Sequence, residues 1–332
     1  LLIDENIGYL KDTLVNSEDV KSRELTFQGE KAVLLYIDTL VDQQIIQKDL
    51  TDPLLQNQDR NIEEIISSTE IENETNLKKA INFLLQGYCI LLVDKKTNFY
   101  AFFSAISYKR NISEPENEGV VRGPHYGLIE DLKVNLFLIR RLIESPNLCV
   151  HYHSLGRVTK TKVAIVYMED IANPTLVEDV KNRFKTISSD TIISPGYIQE
   201  FTEDNSFSPF PQHLGTERPD RIVANLMEGR VVILSEGDPT ALIVPVTLFA
   251  FYQSPDDYNS GWIVGSFVRM IRLVSFFIAL SLPSFYIATI GYHPDILPLE
   301  LVFTIKTSLQ KVPFPAIIEA LLIELIFELL RE

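Results

Sequence analysis

The sequence has 332 residues, a formal net charge of −15 and a pI near 4.9. A chain of this length usually folds as two or three compact units. Its negative charge disfavours binding to nucleic acid through a basic face, so we expect no nucleic-acid partner. Cys89 and Cys149 lie in apolar runs, which is typical of small buried side chains and not of a disulfide framework.

The N-terminal part of the chain alternates between strand-like and helix-like patterns. Residues 1–27 carry many charges and lack the apolar core of a signal peptide, so we expect this part to stay in the cytoplasm. Short apolar runs predict strands at Ala32–Ile37, Tyr88–Val93 and Phe99–Ile106, the last two joined as a hairpin. Apolar residues at helical spacing predict a helix that ends at Gly87.

A second set of elements follows in the middle of the chain. Apolar residues on one helical face predict a long helix over Gly127–Ser145. A buried strand is predicted at 163–167, and Asn173-Pro174 is typical of the start of a helix. Two further strands, Val231–Leu234 and Ala241–Val246, flank a predicted turn.

These elements predict an α/β fold class with two small α/β subdomains that form a cytoplasmic head. We place the N-terminal subdomain at residues 1–150 and the second at residues 151–255. Residues 256–332 should contain α-helical transmembrane segments. They are expected to begin a transmembrane domain and not to complete it.

The change in composition after Tyr258 predicts a membrane helix. Leu273–Tyr292 is a run of 20 residues without a charged side chain, and about 20 apolar residues suffice to span a bilayer. Membrane helices tolerate a proline such as Pro283, with a kink. Arg269 and Arg272 mark the N-terminal membrane boundary and, by the positive-inside tendency, place that end on the cytoplasmic side.

A second membrane helix is predicted at Pro313–Leu330, whereas Ile296–Lys311 fits either an interfacial segment or a short buried helix. Three carboxylates interrupt the second apolar stretch. Helical spacing puts Glu324 and Glu328 on one face and Glu319 well round the helix. A carboxylate at bilayer depth costs a few kcal/mol. We therefore expect all three to face protein, a partner chain or a water-filled ion path.

No catalytic pattern is present in the sequence. It contains no Walker A motif, no Gly-x-Gly-x-x-Gly after a strand and no Gly-x-Ser-x-Gly. His151-x-His153 could face one side of a strand, but no third metal ligand has matching spacing, so ordinary polar positions are favoured. We expect no enzyme activity, no cofactor and no metal.

Two polar clusters predict interfaces. Gly215–Asp220 places two acids and an arginine around a proline turn, which favours a structural corner, although Arg218 could instead bind a ligand carboxylate. Arg122 precedes the long helix, where internal capping or pairing with Glu130 is favoured over anion binding at the helix N-terminus. Five residues become candidates for a subdomain or subunit interface: Arg122, Glu130, Glu217, Arg218 and Asp220.

The order of several short motifs is typical of one family. In the head they are Val121-Arg-Gly-Pro124 with Glu130, Thr159–Ala164, Ser206–Pro211, Thr216–Asp220, Glu228–Arg230 and Leu242–Pro245. Towards the C-terminus they are Ser254–Tyr258, Gly265–Arg269 with Arg272, Pro283, Pro298, Val312–Pro315, Glu319, Glu324 and Glu328–Glu332. On these motifs the chain, from about Ala32, resembles the A subunits of bacterial spore germinant receptors, the GerA family, which includes the SpoVAF-type proteins.

The resemblance implies a homo-oligomeric, pentameric and nutrient-gated ion channel in the spore inner membrane. Its partners would be the lipid bilayer and the membrane-embedded B-type and lipoprotein C-type receptor subunits, with nutrient sensing mainly in a membrane-embedded partner. It also implies further membrane helices after this sequence, among them the main pore-lining helix. The alternative is a membrane-tethered binding and signalling module whose two-lobed head closes on a small molecule. A membrane-anchored enzyme ranks last because no catalytic constellation is present.

Overall fold

The computed structural model describes residues 3–57, 59–66, 71–107, 118–119, 124–205, 207–208, 210–254, 257, 261–309 and 314–331. The chain divides into two compact units, Leu1–Phe251 and Tyr252–Glu332. The first unit contains two antiparallel sheets with their helices, and the second is helical.

The first sheet has five strands in the order β1-β2-β4-β5-β3, all antiparallel. Its strands are β1 (Val20–Phe27), β2 (Glu30–Ile37), β3 (Ile71–Glu74), β4 (Tyr88–Val93) and β5 (Phe99–Phe103). Its helices are α1 (Ile3–Thr13), α2 (Gln43–Ile45), a π-helical turn (Ile46–Thr51), α3 (Asp52–Gln56), α4 (Ile62–Ile65) and α5 (Leu77–Leu85).

Both faces of the first sheet are covered, which explains the uninterrupted apolar runs of its central strands. Leu10 of α1 and Leu84 of α5 pack on one face together with Val33. Leu34 belongs to the opposite face, where Leu50 of the π-helical turn packs against it. Burial on two sides makes β2 and β4 recognisable from their composition.

The second sheet has the order β6-β7-β9-β10-β8 and is also antiparallel. Its strands are β6 (Leu148–Leu155), β7 (Thr161–Met168), β8 (Leu214–Thr216), β9 (Val231–Ser235) and β10 (Ala241–Val244). Its helices are α6 (Leu132–Leu142), α7 (Pro174–Thr186), α8 (Pro195–Thr202) and α9 (Pro219–Met227). Ile139 of α6 and Ile222 of α9 pack on one face, and Val180 of α7 and Ile198 of α8 on the other.

The predicted α/β fold class, with two subdomains in series, is confirmed. The long helix is shorter than predicted, because α6 begins at Leu132 and not at Gly127. The Asp131 carboxylate caps it by accepting hydrogen bonds from the backbone N–H groups of Lys133 and Val134. The predicted limits of the domains stay a prediction; α6 and β6 both pack in the core of the second sheet.

The second unit consists of α10 (Trp262–Gly291), a short 3₁₀ turn (Pro294–Ile296), α11 (Leu299–Leu309) and α12 (Ala316–Arg331). Within the described part of the chain, α10 is the one helix long and apolar enough to cross a membrane. It has 30 residues and continues through Pro283. At about 1.5 Å per residue it is roughly 45 Å long.

The side chains of α10 are mostly exposed in the isolated chain, with Gly265 and Thr289 as its buried residues. The core helix of a soluble protein would be buried, so this surface requires lipid or another protein. The helix α12 packs along α10. The segment predicted as interfacial or short and buried contains α11, whose described side chains are largely exposed.

Candidate functional sites

The fully buried side chain of Arg218 forms a hydrogen-bonded corner at the start of α9. Its guanidinium donates to both carboxylate oxygens of Asp220, from Nε at 3.0 Å and from Nη2 at 2.7 Å. It also donates to the backbone oxygens of Glu118, at 3.3 Å, and of Pro124, at 3.1 Å. The donors of Arg218 are thus engaged within the chain, which favours the structural corner over capture of a ligand carboxylate.

Glu118 holds the same corner from the segment that connects the two sheets. One of its carboxylate oxygens pairs with Arg221, and the other accepts from the Thr216 hydroxyl and from the Glu217 backbone N–H, the latter at 3.3 Å. The carbonyl of Glu217 accepts from Leu128 N at 2.7 Å. Sequence reasoning missed Glu118 because it lies in a polar stretch without periodicity.

The remaining two interface candidates behave differently. Arg122 lies outside the described residues, so its pairing with Glu130 stays a prediction. The Glu130 side chain is exposed, and its backbone oxygen accepts from Gly237 N at 2.8 Å. Glu130 therefore ties α6 to the β9–β10 turn through its main chain.

A buried ion pair, which we call the Asp19–Arg140 joint, links the segment ahead of β1 in the first sheet to α6, which packs on the second sheet. Arg140 on α6 donates to Asp19, ahead of β1, from Nε at 2.9 Å and from Nη2 at 2.8 Å. The Ser17 and Thr39 hydroxyls donate to the same carboxylate at 2.7 and 3.1 Å. Side-chain exposure is 1% for Arg140 and 0% for Asp19, so the pair is withdrawn from solvent.

The residues next to the joint cover the free edge of β6. Glu18 N donates to Val150 O at 3.0 Å, and the Glu18 carboxylate accepts from Tyr152 N at 2.7 Å. Partial burial raises the pKa of Glu18, but the hydrogen bonds from Tyr152 N–H and His151 outweigh it and hold that pKa below its usual value. His151 therefore has protein partners, Glu18 and the Tyr167 hydroxyl. Among the described residues no group of three potential metal ligands exists.

A second buried carboxylate fixes the N-terminal half of α10, and we call this arrangement the Asp257 clamp. The Asp257 side chain is 2% exposed and accepts from Arg272 at 2.7 and 3.1 Å, with Arg269 at 3.5 Å. Arg272 also donates to Tyr252 O at 2.6 Å. Burial raises the pKa of Asp257, but the hydrogen bonds of Arg272 and of Ser254 N–H and the two arginine charges lower it overall.

The clamp explains why a glycine occurs at position 265. A Cβ atom added to Gly265 would lie 2.3 Å from the backbone oxygen of Asp257. The two arginines predicted at the membrane boundary thus share one buried carboxylate.

The three glutamates of α12 occupy two environments. Glu319 is half-buried, and its Oε2 has no hydrogen-bond partner within the described part of the chain. Glu324 and Glu328 are exposed and border one shallow groove. Glu328 pairs with Arg331 at 3.1 Å. The helix therefore presents two adjacent carboxylates, one of them paired with Arg331, on a mostly apolar surface.

Comparisons with known proteins agree on one family. The family model described as Bacillus/Clostridium GerA spore germination protein matches residues 8–332. Spore germination protein GerLA of Bacillus cereus is 34% identical over 97% of this chain and 68% of its own length. Spore germination protein B1 of Bacillus subtilis (strain 168) is 36% identical over 99% of this chain and 70% of its own length.

Two other relatives bear on the architecture. The membrane protein YfkQ of Bacillus subtilis (strain 168) is 33% identical over 99% of this chain and 66% of its own length, so this chain spans about two thirds of the relatives named here. The crystallised N-terminal domain of the A subunit of the Bacillus megaterium spore germinant receptor GerK3 is 30% identical with a TM-score of 0.56. That match covers 74% of this chain and 96% of that domain. This chain therefore belongs to the GerA family of spore germination proteins.

Proposed function

We propose that this chain is the A-type subunit of a spore germination receptor and that its copies assemble into a nutrient-gated cation channel. Membership of the GerA family supports the receptor role. In this proposal the channel is a pentamer in the spore inner membrane, with B-type and lipoprotein C-type subunits as partners. In this role the protein conducts ions and does not catalyse a reaction.

The observation that carries the channel proposal is the pair of exposed carboxylates on α12. Glu324 and Glu328 share one face of a mostly apolar helix, whose other charged residues are Glu319 and Arg331. Facing lipid, each charge would cost at least a few kcal/mol. Rings of such carboxylates around a common axis are a known device for selecting cations. Assembly about an axis would supply the water that these groups require.

The proposed orientation places the head in the cytoplasm. Arg269 and Arg272 lie near the N-terminal end of α10, and acidic residues contribute little to the positive-inside tendency. Asp257 therefore does not cancel their influence on topology.

The alternative, a head whose lobes close on a ligand, is less well supported. Closure between the subdomains would move Asp19 relative to Arg140, and separating a buried ion pair costs several kcal/mol. The Asp19–Arg140 joint therefore favours a scaffold over a hinged sensor.

The channel proposal is tested by cation flux into liposomes that contain the full chain and the Glu324→Gln variant. Because the substitution removes a charge from the proposed path, we expect a lower flux of monovalent cations and a weaker preference for cations over anions. Glu144→Gln removes an exposed charge from the head and serves as the matched control. Unchanged flux in Glu324→Gln, or a single protomer as the detergent-extracted species, would contradict the proposal.

A further inference from the structure

The second subdomain contains a cavity of about 610 Å³ that neither the corner nor the joint uses. Small-molecule sites commonly occupy about 300–1,000 Å³. The cavity lies between α7, the end of α8, the loop that precedes β8 and the segment after β10. Its apolar wall includes Val180, Phe210, Val244, Val246, Leu248 and Phe251.

The polar centre of this cavity is His213, which lines it and is 4% exposed. His213 Nε2 lies 2.9 Å from the Thr202 hydroxyl. That hydroxyl lies 2.7 Å from Ile198 O, to which it donates its only proton. With the hydroxyl proton on Ile198 O, we assign Nε2 as the donor to Thr202, which places the hydrogen of the neutral ring on Nε2. The Nδ1 lone pair then has no partner among the described residues.

The charged groups that line the cavity are one cation and two anions. Arg183 donates to Thr202 O at 2.6 Å and to Asp179 at 3.0 Å, and it also pairs with Asp204. These contacts occupy the Arg183 guanidinium. Its single positive charge balances one of the two carboxylates, so the cavity lining keeps one negative charge. An anionic ligand would be repelled, whereas a cationic one would gain an attraction.

We propose that this cavity binds a small organic amine with a compact apolar body. A small turn of the buried His213 ring brings Nδ1 to the cavity, where the ligand donates an N–H hydrogen bond to it. The apolar wall would contact the hydrocarbon part, and the carboxylates of Asp179 and Asp204 would favour the positive charge. An unpaired buried acceptor is costly, and a donor from the ligand removes that cost. The site lies within one subdomain, so it requires no movement of the Asp19–Arg140 joint.

The state of the imidazole supports this assignment. Burial lowers the pKa of His213, with a smaller effect of the same sign from Arg183, although Glu203 and Asp204 act in the opposite direction. The ring is therefore neutral at pH 7, and its Nδ1 can accept a hydrogen bond.

Calorimetric titration of the detergent-solubilised full chain with benzylamine and with benzoate tests the proposal. The two probes share a ring and differ in the sign of their charge. We expect saturable binding of benzylamine and at least about tenfold weaker binding of benzoate, because the cavity carries surplus negative charge. No binding of benzylamine, as for a cavity that holds water only, would overturn the proposal.

Two substitutions at His213 separate the role of Nδ1 from that of folding. In His213→Gln the amide nitrogen takes the place of Nε2 and can still donate to Thr202, but the acceptor at Nδ1 is lost. Benzylamine affinity should fall about tenfold. In His213→Asn the amide oxygen takes the place of Nδ1, so affinity should stay within about threefold of the wild type.

The matched control is His153→Gln, which alters a half-buried histidine of the same subdomain outside the cavity. It should bind benzylamine as the wild type does. Equal affinities of the wild type and His213→Gln would overturn the assignment of Nδ1, whatever the channel activity of the protein. The result is therefore independent of the proposed cation path.

Discussion

Asp19 and Arg140 carry the strongest constraint that individual residues place on the head. Both ions are withdrawn from water. Arg140 and the hydroxyls of Ser17 and Thr39 replace the lost hydration of Asp19. Arg140 is compensated by Asp19 and by the Ser17 hydroxyl oxygen, whereas its Nη1 has no partner among the described residues. Removing one partner leaves an uncompensated buried charge. The cost is then much larger than the value of an exposed pair.

Replacing Arg140 by alanine should lower the free energy of unfolding of residues 1–251 by about 3–5 kcal/mol, because Asp19 would stay buried without its counter-ion. Urea unfolding followed by far-ultraviolet circular dichroism measures this change. Arg157→Ala is the matched control, since Arg157 and its partner Asp190 are 80% and 64% exposed. The Arg157→Ala substitution should lower the free energy of unfolding by only about 0–1 kcal/mol.

The double variant Asp19→Leu/Arg140→Met distinguishes a charge effect from a packing effect. With both charges removed, the free energy of unfolding should fall by less than it does in Arg140→Ala alone. If Arg140→Ala proved as mild as Arg157→Ala, the joint would contribute little to the stability of the head.

At the scale of elements, the sequence predicts the strands of the first sheet that bury side chains on two faces and misses those held mainly by their main chain. β2, β4 and β5 were predictable because their apolar residues contact both cores. β1 is buried mainly at its ends, and β3 is a four-residue polar edge strand. Both are held in the sheet by backbone pairing, which leaves no apolar pattern.

Sequence separation decides which contacts of the candidate sites could be predicted. Arg218 and Asp220 are two residues apart, so their pairing could be foreseen from the chain. Glu118 and Arg221 are 103 residues apart, and the cavity around His213 is assembled from several separate segments. Only the folded topology brings such groups together.

The Asp257 clamp makes a testable prediction about α10. Gly265→Ala should displace the segment around Asp257, because the added methyl group would lie 2.3 Å from its backbone oxygen. The substitution should destabilise the folded chain by about 1–3 kcal/mol, as at other overpacked sites. We expect faster limited proteolysis ahead of α10 and a lower melting temperature of the detergent-solubilised chain.

Gly291→Ala is the matched control for this experiment. A Cβ atom at Gly291 would meet nothing within 4 Å, and the residue ends the same helix. This variant should melt at or slightly above the wild-type temperature, because alanine is the better helix former. Equal proteolysis of both variants would show that the clamp does not hold the segment in place.

At the scale of the whole molecule, polar and apolar surfaces are segregated along the chain. The described residues of the range 1–251 enclose four apolar cores, whereas α10 and α12 leave most of their apolar side chains exposed. This distribution predicts two different behaviours for the head alone and for the full chain.

Expressed alone, residues 1–251 should stay in the supernatant after ultracentrifugation. The full chain should sediment with membranes even after washing at alkaline pH, because about 25 cal/mol per Å² of apolar surface opposes its release into water. Immunoblotting of both fractions measures the distribution. A full chain that is washed into the supernatant would rule out α10 as a membrane span.

The separation of Asp19 from Arg140 also has a consequence for biosynthesis. The two residues are 121 positions apart, so at about 5–20 residues per second a ribosome needs roughly 6–24 s to deliver the arginine after the aspartate. Until then the part of the chain that forms the first sheet has no counter-ion for the carboxylate of Asp19, which is buried in the folded protein. Residues 17–19 should therefore stay hydrated during translation and lock into place only after α6 has emerged from the exit tunnel.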